Sequence, residues 1–493
     1  MSLCSVSHLS FTYEGSYTPV FEDLTFQLDT HWKTGLIGRN GRGKTTLLQL
    51  LTGQLTGTGT IAASVSFSLF PYALPLEQTA RQAFPHLAGW ELEREISRLE
   101  LDPDCLDRPM GTLSPGQRAK LQLAVLFLRE DGFLLIDEPT NHLDLEGRRV
   151  VSRYLHSKDG FLLVSHDRDF LDGCVDHILY LGPEGAWVQR GNYSQWKTDK
   201  DARDNAQREE NARLGKEIHR LQDAARRASQ WSDRTEAGKY GSTNSGLRVD
   251  RGFVGHKAAK MMKRSKALER RREAAVEEKS RLLRDVEEIE SLQVSPLPCR
   301  RGPLVELKEV VPFYGETPAC AQPVTFQLLP GERLALQGAN GCGKSTLLHL
   351  IEGQALPFTG ELRLASGVVL STVAQDTSSL RGSLSQYAQD CGIEESLYKA
   401  ILRKLGFSRS QLEGDLSRMS SGQKKKALIA RSLCQKAHLY LWDEPLNFID
   451  LPARLQIEEL LLEGKPTLLF VEHDAAFTRR IATRLLSLNS CPL

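Results

Sequence analysis

Four segments of this 493-residue chain occur twice, in the same order and at similar spacing. Such a duplication, in a chain longer than one hydrophobic core usually serves, indicates two homologous domains. We place them at residues 1–196 and 302–493, joined by a segment at 197–301. The pairs are GLIGRNGRGKTTLLQLLTG (35–53) with ALQGANGCGKSTLLHLIEG (335–353), LSPGQRAKLQLA (113–124) with MSSGQKKKALIA (419–430), FLLIDEPTNHLD (133–144) with LYLWDEPLNFID (439–450), and LLVSHD (162–167) with LFVEHD (469–474).

The first pair has the form GxxxxGK[ST], with a strand-like apolar run before it and a helix-like run after it. In this context the glycines let backbone N–H groups turn inward and bind phosphates at a helix N-terminus. The lysine then lies along the β and γ phosphates, and the Ser or Thr hydroxyl binds Mg²⁺. The alternative, a glycine turn with a surface lysine, would have to arise twice. We predict two ATP- and Mg²⁺-binding loops, formed by Gly38, Asn40, Gly41, Gly43, Lys44, Thr45 and Thr46, and by Gly338, Asn340, Gly341, Gly343, Lys344, Ser345 and Thr346.

The third pair ends an apolar run in two acids. A buried parallel strand delivers carboxylates to its C-terminal edge in this way. A simple strand-end cap is the alternative, but the upstream phosphate loop favours catalysis. We expect Asp137 and Asp443 to hold Mg²⁺, and Glu138 and Glu444 to polarise the attacking water.

A histidine follows the next apolar run in each domain, at His166 and at His473. A lone histidine is more often structural than catalytic, but two at matched positions favour a functional role. Both would fall at strand ends near the γ phosphate. We predict that both sense the γ phosphate.

The composition excludes several other classes of protein. No run of 18 apolar residues is present, and the N-terminus lacks a basic region followed by an apolar core. The nine cysteines are scattered without a CxxC pair, so neither a disulfide framework nor a zinc or iron–sulfur site is indicated. We expect a cytoplasmic protein with reduced cysteines and no membrane partner.

The LSPGQ and MSSGQ segments resemble the signature sequence of the ATP-binding cassette family. The resemblance implies an α/β fold with two tandem cassettes that meet head to tail within one monomeric chain. Each ATP would lie between the phosphate loop of one cassette and the signature of the other. Site one would join Lys44, Asp137, Glu138 and His166 to Ser420, Ser421, Gly422 and Gln423. Site two would join Lys344, Asp443, Glu444 and His473 to Ser114, Gly116 and Gln117.

The same resemblance implies further nucleotide contacts. Tyr13 and Tyr314 match the aromatic residue that stacks on adenine, and Gln375 matches the glutamine that senses Mg²⁺ and the attacking water. The first cassette departs from the family pattern, because Tyr72 stands where this glutamine is expected and Pro115 interrupts the signature. The second has LNFI after its acids where the first has TNHL. We therefore expect two chemically unequal sites, one of which turns over more slowly.

Two fused cassettes without a membrane segment resemble the ABC-F family, whose members act on the ribosome. The span between the first phosphate loop and the first signature is short, the interdomain segment is long, and the chain ends soon after the second histidine. These features are similar to the antibiotic-resistance subgroup. Its Lsa-type members, which act against lincosamides, streptogramin A and pleuromutilins, are the most similar in these respects.

The interdomain segment has helical periodicity. An apolar stripe at spacings of four, three and four begins at Leu214, within a charged run from 196 to 230. A second helical run covers 256–292 and is stopped by SPLPCRRGP. The pattern predicts two antiparallel helices in a hairpin, each about 50 Å long at 1.5 Å per residue.

Positive charge is concentrated at the far end of this hairpin. Residues 226–272 contain 14 Lys or Arg and four Asp or Glu, whereas the whole chain has a net charge of only +1. A solvated charged hairpin is the simple alternative, but such an excess, interspersed with glycines, favours a phosphate-rich partner. Aromatic side chains in the same stretch can stack on unpaired bases. We expect RNA binding by Tyr240, Arg248, Arg251, Phe253, Lys257 and Lys260.

Under the ABC-F resemblance, the leading hypothesis is an ATPase that grips the ribosome at the tRNA exit site and contacts large-subunit RNA and tRNA. Its linker would reach toward the peptidyl-transferase centre and dislodge a bound drug. The alternative is a translation factor that rescues stalled ribosomes without a drug-related role. An exporter ATPase would leave the basic hairpin without a purpose, and a DNA-repair cassette protein would need zinc ligands or a far longer coiled coil. We therefore expect neither a membrane nor a DNA partner.

Overall fold

The computed structural model of the chain describes residues 3–15, 19–87, 89–129, 132–141, 143–182, 185–237, 296–298 and 302–488. The chain divides into two units. The first contains Met1–Trp196 together with Glu290–Leu493, and the second contains Lys197–Ile289. Both cassettes therefore lie in the first unit.

The first cassette combines a mostly parallel sheet, an antiparallel sheet and helices. Its strands are β1 (Leu3–Phe11), β2 (Phe21–Asp29), β3 (Lys33–Gly38), β4 (Thr58–Ala63), β5 (Phe67–Phe70), β6 (Phe133–Asp137), β7 (Phe161–Val164), β8 (His177–Gly182) and β9 (Gly185–Arg190). Its helices are α1 (Lys44–Leu51), α2 (Ala80–Ala83), α3 (Gly89–Arg98), α4 (Pro115–Leu128), α5 (Leu145–His156) and α6 (Arg168–Cys174), with 3₁₀ turns at Pro103–Leu106 and Met110–Thr112.

The strand order of the larger sheet is β5-β6-β7-β3-β8-β9, and only β9 runs antiparallel to its neighbour. Strands β6 and β7 are buried on both faces, which explains their unbroken apolar runs. The smaller sheet, ordered β2-β1-β4, is antiparallel, and β2 alternates buried and exposed residues. One core lies between the two sheets around α1, and another lies between the larger sheet and α3, α4 and α5.

Helix α7 (Tyr193–Ala237) begins in the first unit and continues into the second. It covers the predicted first linker helix. Leu214 is half-buried there, as are Gln207 and Asn211 on the same face. The predicted second helix and the basic tip lie outside the described residues. Within the residues that are described, no helix is both long enough and apolar enough to cross a bilayer.

The second cassette repeats the architecture of the first. Its strands are β10 (Val305–Tyr314), β11 (Thr317–Pro318), β12 (Val324–Leu328), β13 (Arg333–Gln337), β14 (Phe358–Leu364), β15 (Leu370–Val373), β16 (Leu439–Asp443), β17 (Leu468–Val471) and β18 (Arg484–Ser487). Its helices are α8 (Lys344–Glu352), α9 (Leu384–Asp390), α10 (Glu395–Lys404), α11 (Arg409–Leu412), α12 (Ser421–Cys434), α13 (Leu451–Gly464) and α14 (Ala475–Ile481), with a 3₁₀ turn at Leu416–Arg418.

The parallel sheet of the second cassette has the order β15-β16-β17-β13-β18, which matches β5-β6-β7-β3-β8 of the first cassette strand for strand. Its antiparallel sheet pairs β10 with β11, β12 and β14. The prediction of an α/β fold with two tandem cassettes is therefore confirmed. Because the strand that precedes each phosphate loop neighbours the histidine-bearing strand, which in turn neighbours the acidic strand, all three deliver their C-terminal residues to one edge of the sheet.

Candidate active site

The first phosphate loop requires its glycines for steric reasons. Gly43 immediately precedes α1 and has a φ of 80°, in the left-handed region that favours glycine. A Cβ atom there would lie 2.5 Å from Cγ1 of Val20, so a side chain would clash. Lys44 is 8% exposed, and its Nζ donates to the carbonyl of Gly38 at 2.8 Å and to the side chain of Asn40 at 3.2 Å. The loop thus curls around its own lysine at the start of the helix.

The second phosphate loop has the same conformation. Gly343 has a φ of 91°, and a Cβ atom there would lie 2.5 Å from the Sγ atom of Cys320. Nζ of Lys344 donates to the carbonyls of Gly338 at 2.9 Å and Ala339 at 2.8 Å. Both helices therefore begin at the loop lysine, with their first backbone N–H groups directed at the loop.

The acids at the strand ends lie beside the phosphate-loop hydroxyls, as Mg²⁺ binding requires. The Thr45 hydroxyl donates to Oδ2 of Asp137 at 3.0 Å. Both carboxylate oxygens of Asp443 are buried, and neither has a hydrogen-bond partner among the described residues. Burial raises the pKa of Asp443, whereas the neighbouring Ser345 lowers it. A hard divalent cation fits such a carboxylate and hydroxyl pair, with ATP phosphates and water completing its ligands. Mg²⁺ held there would neutralise charge on the phosphates.

The two candidate catalytic glutamates share an unusual backbone conformation. Glu138 has a φ of 50° and Glu444 a φ of 45°, which is costly for a residue with a side chain. Each conformation is fixed by a backbone hydrogen bond to the neighbouring strand, from Glu138 to Val164 at 2.9 Å and from Glu444 to Val471 at 3.0 Å. The turn aims each carboxylate out of the strand direction and into the site.

Each predicted histidine lies beside the glutamate of its own cassette. The distance from Nε2 of His166 to Oε1 of Glu138 is 3.4 Å, and the distance from Nε2 of His473 to Oε1 of Glu444 is 3.5 Å. Both histidines are buried. Each cassette therefore brings its predicted glutamate and histidine together, and their roles in catalysis and γ-phosphate sensing are proposals that this geometry supports.

The electrostatic surroundings of the first glutamate favour its neutral form. Burial raises the pKa of Glu138 to about 7, and the adjacent Asp137 carboxylate adds to this rise. Burial also lowers the pKa of His166 well below its usual value, and the positive charge of Lys44 contributes in the same direction. The histidine is thus held neutral at pH 7.

The second glutamate has different partners. Its Oε2 atom accepts hydrogen bonds from Nε2 of Gln375 at 2.8 Å and from Nδ2 of Asn447 at 2.6 Å. Burial raises the pKa of Glu444, but the contacts with His473, Gln375 and Asn447 outweigh burial and hold the pKa at about 2. The resemblance pointed to Gln375. Asn447 was missed, although its place three residues after the glutamate was visible in the sequence.

In the first cassette, Tyr72 occupies the place of Gln375. Phe70 pairs with Ile136 in the first parallel sheet, as Val373 pairs with Trp442 in the second, and Tyr72 and Gln375 each follow two residues later. The Tyr72 hydroxyl is buried and has no hydrogen-bond partner in the described part of the chain. The predicted inequality of the two sites therefore has a structural counterpart in these side chains.

The signature residues begin the helices α4 and α12. Ser114 and Ser420 are the N-caps, and each accepts a hydrogen bond from the backbone of the glutamine three residues later, at 3.2 Å and 3.3 Å. Gln117 and Gln423 return this bond through their side chains, at 2.9 Å each, which completes a capping box. These glutamines were predicted to contact nucleotide, but their Oε1 atoms are engaged within the helix. The serine hydroxyl oxygens accept these bonds, which leaves each serine O–H free to donate to a phosphate.

Contacts between the cassettes join the first phosphate loop to the second signature region. The backbone N–H of Asn40 donates to Oδ2 of Asp450 at 2.7 Å, and its side chain donates to the carbonyl of Phe448 at 3.1 Å. A Cβ atom on Gly422 would lie 2.3 Å from that same carbonyl and 3.4 Å from Nδ2 of Asn40. Only glycine fits there, because the Phe448 carbonyl of its own cassette lies so close, and the same carbonyl accepts the bond from Asn40 of the first cassette. Ser421 adjoins it as the first residue of α12.

Site two has a longer version of one of these contacts. The backbone N–H of Asn340 donates to Oδ2 of Asp144 at 3.4 Å. Asp144 also caps its own helix α5, whereas Asp450 makes no cap and pairs with the buried Lys426 at 2.9 Å. Neither aspartate was predicted as a site residue. Their final position in the repeated twelve-residue segments was the available signal.

The two candidate adenine-stacking residues lie beside the phosphate-loop helices. The Tyr13 hydroxyl is 2.8 Å from Oγ1 of Thr46, and the Tyr314 hydroxyl is 3.4 Å from Oγ1 of Thr346. Tyr13 is 44% exposed and Tyr314 is 56% exposed, which leaves both rings available to a planar ligand. The six predicted RNA-binding residues, Tyr240, Arg248, Arg251, Phe253, Lys257 and Lys260, lie outside the described residues.

Comparison with known proteins agrees with this geometry. A family model described as ABC transporter matches residues 21–141 and 321–447, which together make up half of the chain. The chain belongs to the ABC transporter family. As a member, it is an ATP hydrolase. Among the described residues, no group of three or more His, Cys, Asp or Glu is placed to hold a metal ion.

Relatives within the family match nearly the whole chain. The ribosome protection protein VmlR of Bacillus subtilis is 28% identical over 503 residues, covering 98% of this chain and 87% of VmlR. ABC transporter F family member 2 of Arabidopsis thaliana is 26% identical over 98% of this chain and 76% of its own. These relatives support assignment to the ABC-F branch. A solved structure of archaeal ribosome recycling factor aABCE1 has a similar fold, with a TM-score of 0.64 at 18% identity, covering 97% of this chain and 87% of that one.

Proposed function

We propose that this chain is a ribosome-binding ATPase of the ABC-F branch that acts in translation in the cytoplasm. The observation that carries the proposal is the alignment with the ribosome protection protein VmlR, which runs through both cassettes and the linker. ATP bound at the two head-to-tail sites would hold the cassettes together, and hydrolysis would let the cassettes separate. The contacts of Asn40 with the second cassette support this arrangement.

The finer proposal is protection of the ribosome from peptidyl-transferase antibiotics of the lincosamide, streptogramin A and pleuromutilin classes. The linker would enter from the tRNA exit site and dislodge the drug, which is the role that the resemblance to Lsa-type proteins implies. The positive charge of residues 226–272 supports it, because a strongly basic segment binds phosphate-rich RNA. The phosphates of ribosomal RNA would be bound by Arg248, Arg251, Lys257 and Lys260, and bases would stack on Tyr240 and Phe253.

Cosedimentation with ribosomes tests the coarser proposal. The double variant Glu138→Gln with Glu444→Gln keeps the phosphate loops and removes only the carboxylates that polarise water. We expect it to bind ATP, to lose hydrolysis by about a hundredfold or more, and to pellet with ribosomes in ATP but not in ADP. The matched double variant Lys44→Ala with Lys344→Ala should not pellet. If the first variant stays in the supernatant with ATP bound, the ribosome proposal is wrong.

Deleting residues 242–254 tests the role in drug protection. In a host sensitive to a lincosamide, the full chain should raise the minimal inhibitory concentration and the deletion should not. Retained ribosome pelleting by the deletion variant would show that the cassettes still bind. Rescue of stalled ribosomes with no change in drug sensitivity would favour the translation-factor alternative.

A further inference from the structure

The two cassettes differ in a buried lysine near the catalytic acids. Lys425 lies on α12, five residues after the signature Ser420, and is 2% exposed. The corresponding residue of the first cassette, five residues after Ser114, is Ala119. No carboxylate in the described residues forms an ion pair with Lys425 within 4 Å. A buried ammonium without such a pair requires other hydrogen-bond acceptors.

Lys425 finds these acceptors in the backbone of the active site. Its Nζ donates to the carbonyl of Ala374 at 2.8 Å, to that of Asp443 at 3.1 Å and to that of Gln375 at 3.4 Å. One side chain thereby joins the segment after β15, which carries Gln375, to the end of β16, which carries Asp443 and then Glu444. The helix that supplies the signature is therefore fixed to the hydrolytic residues of its own cassette.

The side chains at Glu444 continue this arrangement. Gln375 and Asn447 both donate to Oε2 of Glu444, at 2.8 Å and 2.6 Å. Because the backbone of Glu444 is in a left-handed conformation, its carboxylate direction depends on such restraints. The two amide donors fix Oε2, so that Oε1 is directed toward His473. The carboxylate is thus oriented before ATP binds.

The first cassette lacks these restraints. Asn141 corresponds to Asn447, but it makes no side-chain hydrogen bond to Glu138 in the part of the chain that the structure describes. Gln122 of α4 donates to the Tyr72 carbonyl at 2.5 Å. Tyr72 occupies the place of Gln375, so a neutral amide here makes the kind of contact that Lys425 makes with the Gln375 carbonyl. No side chain among the described residues reaches the Asp137 carbonyl. The Glu138 carboxylate therefore lies beside His166, as in the second cassette, but among the described residues it has no counterpart of the two amide donors that hold Glu444.

We propose that Lys425 and Asn447 are positioning residues that make site two, the site of Lys344 and Glu444, the faster of the two ATP-hydrolysing sites. They act through Glu444 and Gln375 and do not contact the nucleotide. In the step that they assist, a water oxygen bonds to the γ phosphorus, the bond from that phosphorus to the β–γ bridging oxygen breaks, and ADP leaves with the bond electrons. The proton of the water passes by way of the Glu444 carboxylate to solvent. The inference concerns hydrolysis alone and is independent of the ribosome proposal.

Single-site backgrounds separate the two activities. Glu138→Gln leaves site two competent, and Glu444→Gln leaves site one competent. We expect single-turnover hydrolysis with Mg²⁺ and ATP to be at least about tenfold faster in the Glu138→Gln protein, the size of effect that loss of hydrogen bonds to a charged group produces. Equal rates in the two proteins, or a faster Glu444→Gln protein, would overturn the proposal.

Matched asparagine variants test the positioning role. In the Glu138→Gln background, Asn447→Ala should lower kcat about tenfold, the effect of removing one hydrogen bond to a carboxylate, with KM for ATP changed less than twofold. In the Glu444→Gln background, Asn141→Ala should leave kcat unchanged. A fall in kcat of the same size in both, or a change confined to KM, would show that Asn447 does not position the carboxylate.

Substitutions that change the charge or the shape of the Lys425 side chain test its positioning role. In the Glu138→Gln background, Lys425→Met keeps the aliphatic chain but removes the carbonyl hydrogen bonds, and kcat should fall at unchanged KM. Lys425→Arg should restore part of the lost rate, and Lys424→Ala, at the neighbouring half-buried residue, should have no effect. If Lys425→Met unfolds the protein, Lys425→Arg decides the question. A Lys425→Arg protein that binds ATP fully but hydrolyses it no faster than the Asn447→Ala protein would contradict the positioning role of Lys425.

Discussion

The hydroxyl ends of Tyr13 and Tyr314 are held by the phosphate-loop helices. Each hydroxyl lies beside the Thr two residues after its phosphate-loop lysine, and the ring of Tyr13 also makes an edge contact with Phe11 at a centroid distance of 4.9 Å. The exposed ring faces are therefore fixed at the rim of the loop but not covered. An adenine base stacked there would gain contact area without displacing any packed side chain.

Substitution of Tyr13 separates stacking from hydrogen bonding. We expect Tyr13→Ala to weaken ATP binding at site one by about 1–3 kcal/mol, the range found for base stacking on an aromatic ring. Tyr13→Phe should retain most of the affinity, because it loses only the bond to Thr46. Titration with a fluorescent ATP analogue in a Lys344→Ala background, where site two is weakened, measures site one alone. A larger loss for Phe than for Ala would contradict stacking.

At the level of secondary-structure elements, α3 is tied to α5 by a buried charged group. Glu95 of α3 has a side chain that is 1% exposed, and Oε2 accepts from the Tyr154 hydroxyl at 2.7 Å and contacts Lys158. Its Oε1 accepts from Arg98 at 3.2 Å. Burial raises the pKa of Glu95, but the hydrogen bonds from Lys158 and Tyr154 outweigh it, so that the pKa is lowered. Helix α3 is thereby fixed to α5, which packs beside the parallel sheet.

Glu95→Gln should destabilise the first cassette in a pH-dependent manner. We expect the free energy of unfolding to fall by about 2 kcal/mol at pH 7, because bonds to a charged group are lost. Since the folded pKa is below the unfolded value, this stabilisation is complete above about pH 4.3 and is lost as the pH falls through the folded pKa. Urea denaturation of both proteins at pH 7 and at lower pH measures the difference. Glu93→Gln, at a half-exposed ion pair with Arg81, is the control and should change little.

Over the whole molecule, α6 contacts both the opposite cassette and the beginning of α7. Arg168 at its beginning pairs with Glu458 of the second cassette, a residue that is fully buried and also contacts Arg480 at 2.7 Å. Asp172 near its end accepts a hydrogen bond from the backbone of Ser194 at 2.8 Å, at the beginning of α7. Trp196 then packs into the core of the first cassette. A single seven-residue helix therefore contacts both the opposite cassette and the first turn of α7.

The basic linker segment should bind RNA through phosphates, and this has a measurable consequence. Replacing Arg248, Arg251, Lys257 and Lys260 with Gln should weaken ribosome binding and flatten its salt dependence. Each lost phosphate contact removes about 0.7 from the slope of log K against log salt, the value for single strands. Binding measured between low and physiological salt checks this, and basal ATPase activity should remain unchanged. An unaltered slope would show that these side chains are only solvated.

The contiguous motifs could be predicted because each one encodes a local backbone conformation. The glycines of a phosphate loop, the apolar run before Asp137 and the Ser-x-x-Gln start of a helix determine their own turn, strand or cap, whatever surrounds them. The duplication indicated two homologous domains, and the family resemblance implied the α/β class and the two-cassette organisation. The first linker helix was predicted for the same reason, from the spacing of its apolar residues. Its partner helix and tip remain predictions.

The rest depended on which elements the fold brings together. Asp450 contacts Asn40 across 410 residues of sequence, and Lys425 donates to carbonyls at the ends of two neighbouring strands, in Asp443 of β16 and in Ala374 just after β15. The signature glutamines illustrate the same limit, because their motif is both a helix cap and a nucleotide-site sequence. A motif shows which groups a residue carries and how its own backbone turns. Hydrogen-bond partners are fixed by the packing of distant elements, so only the tertiary structure decided which carboxylate is restrained and which is not.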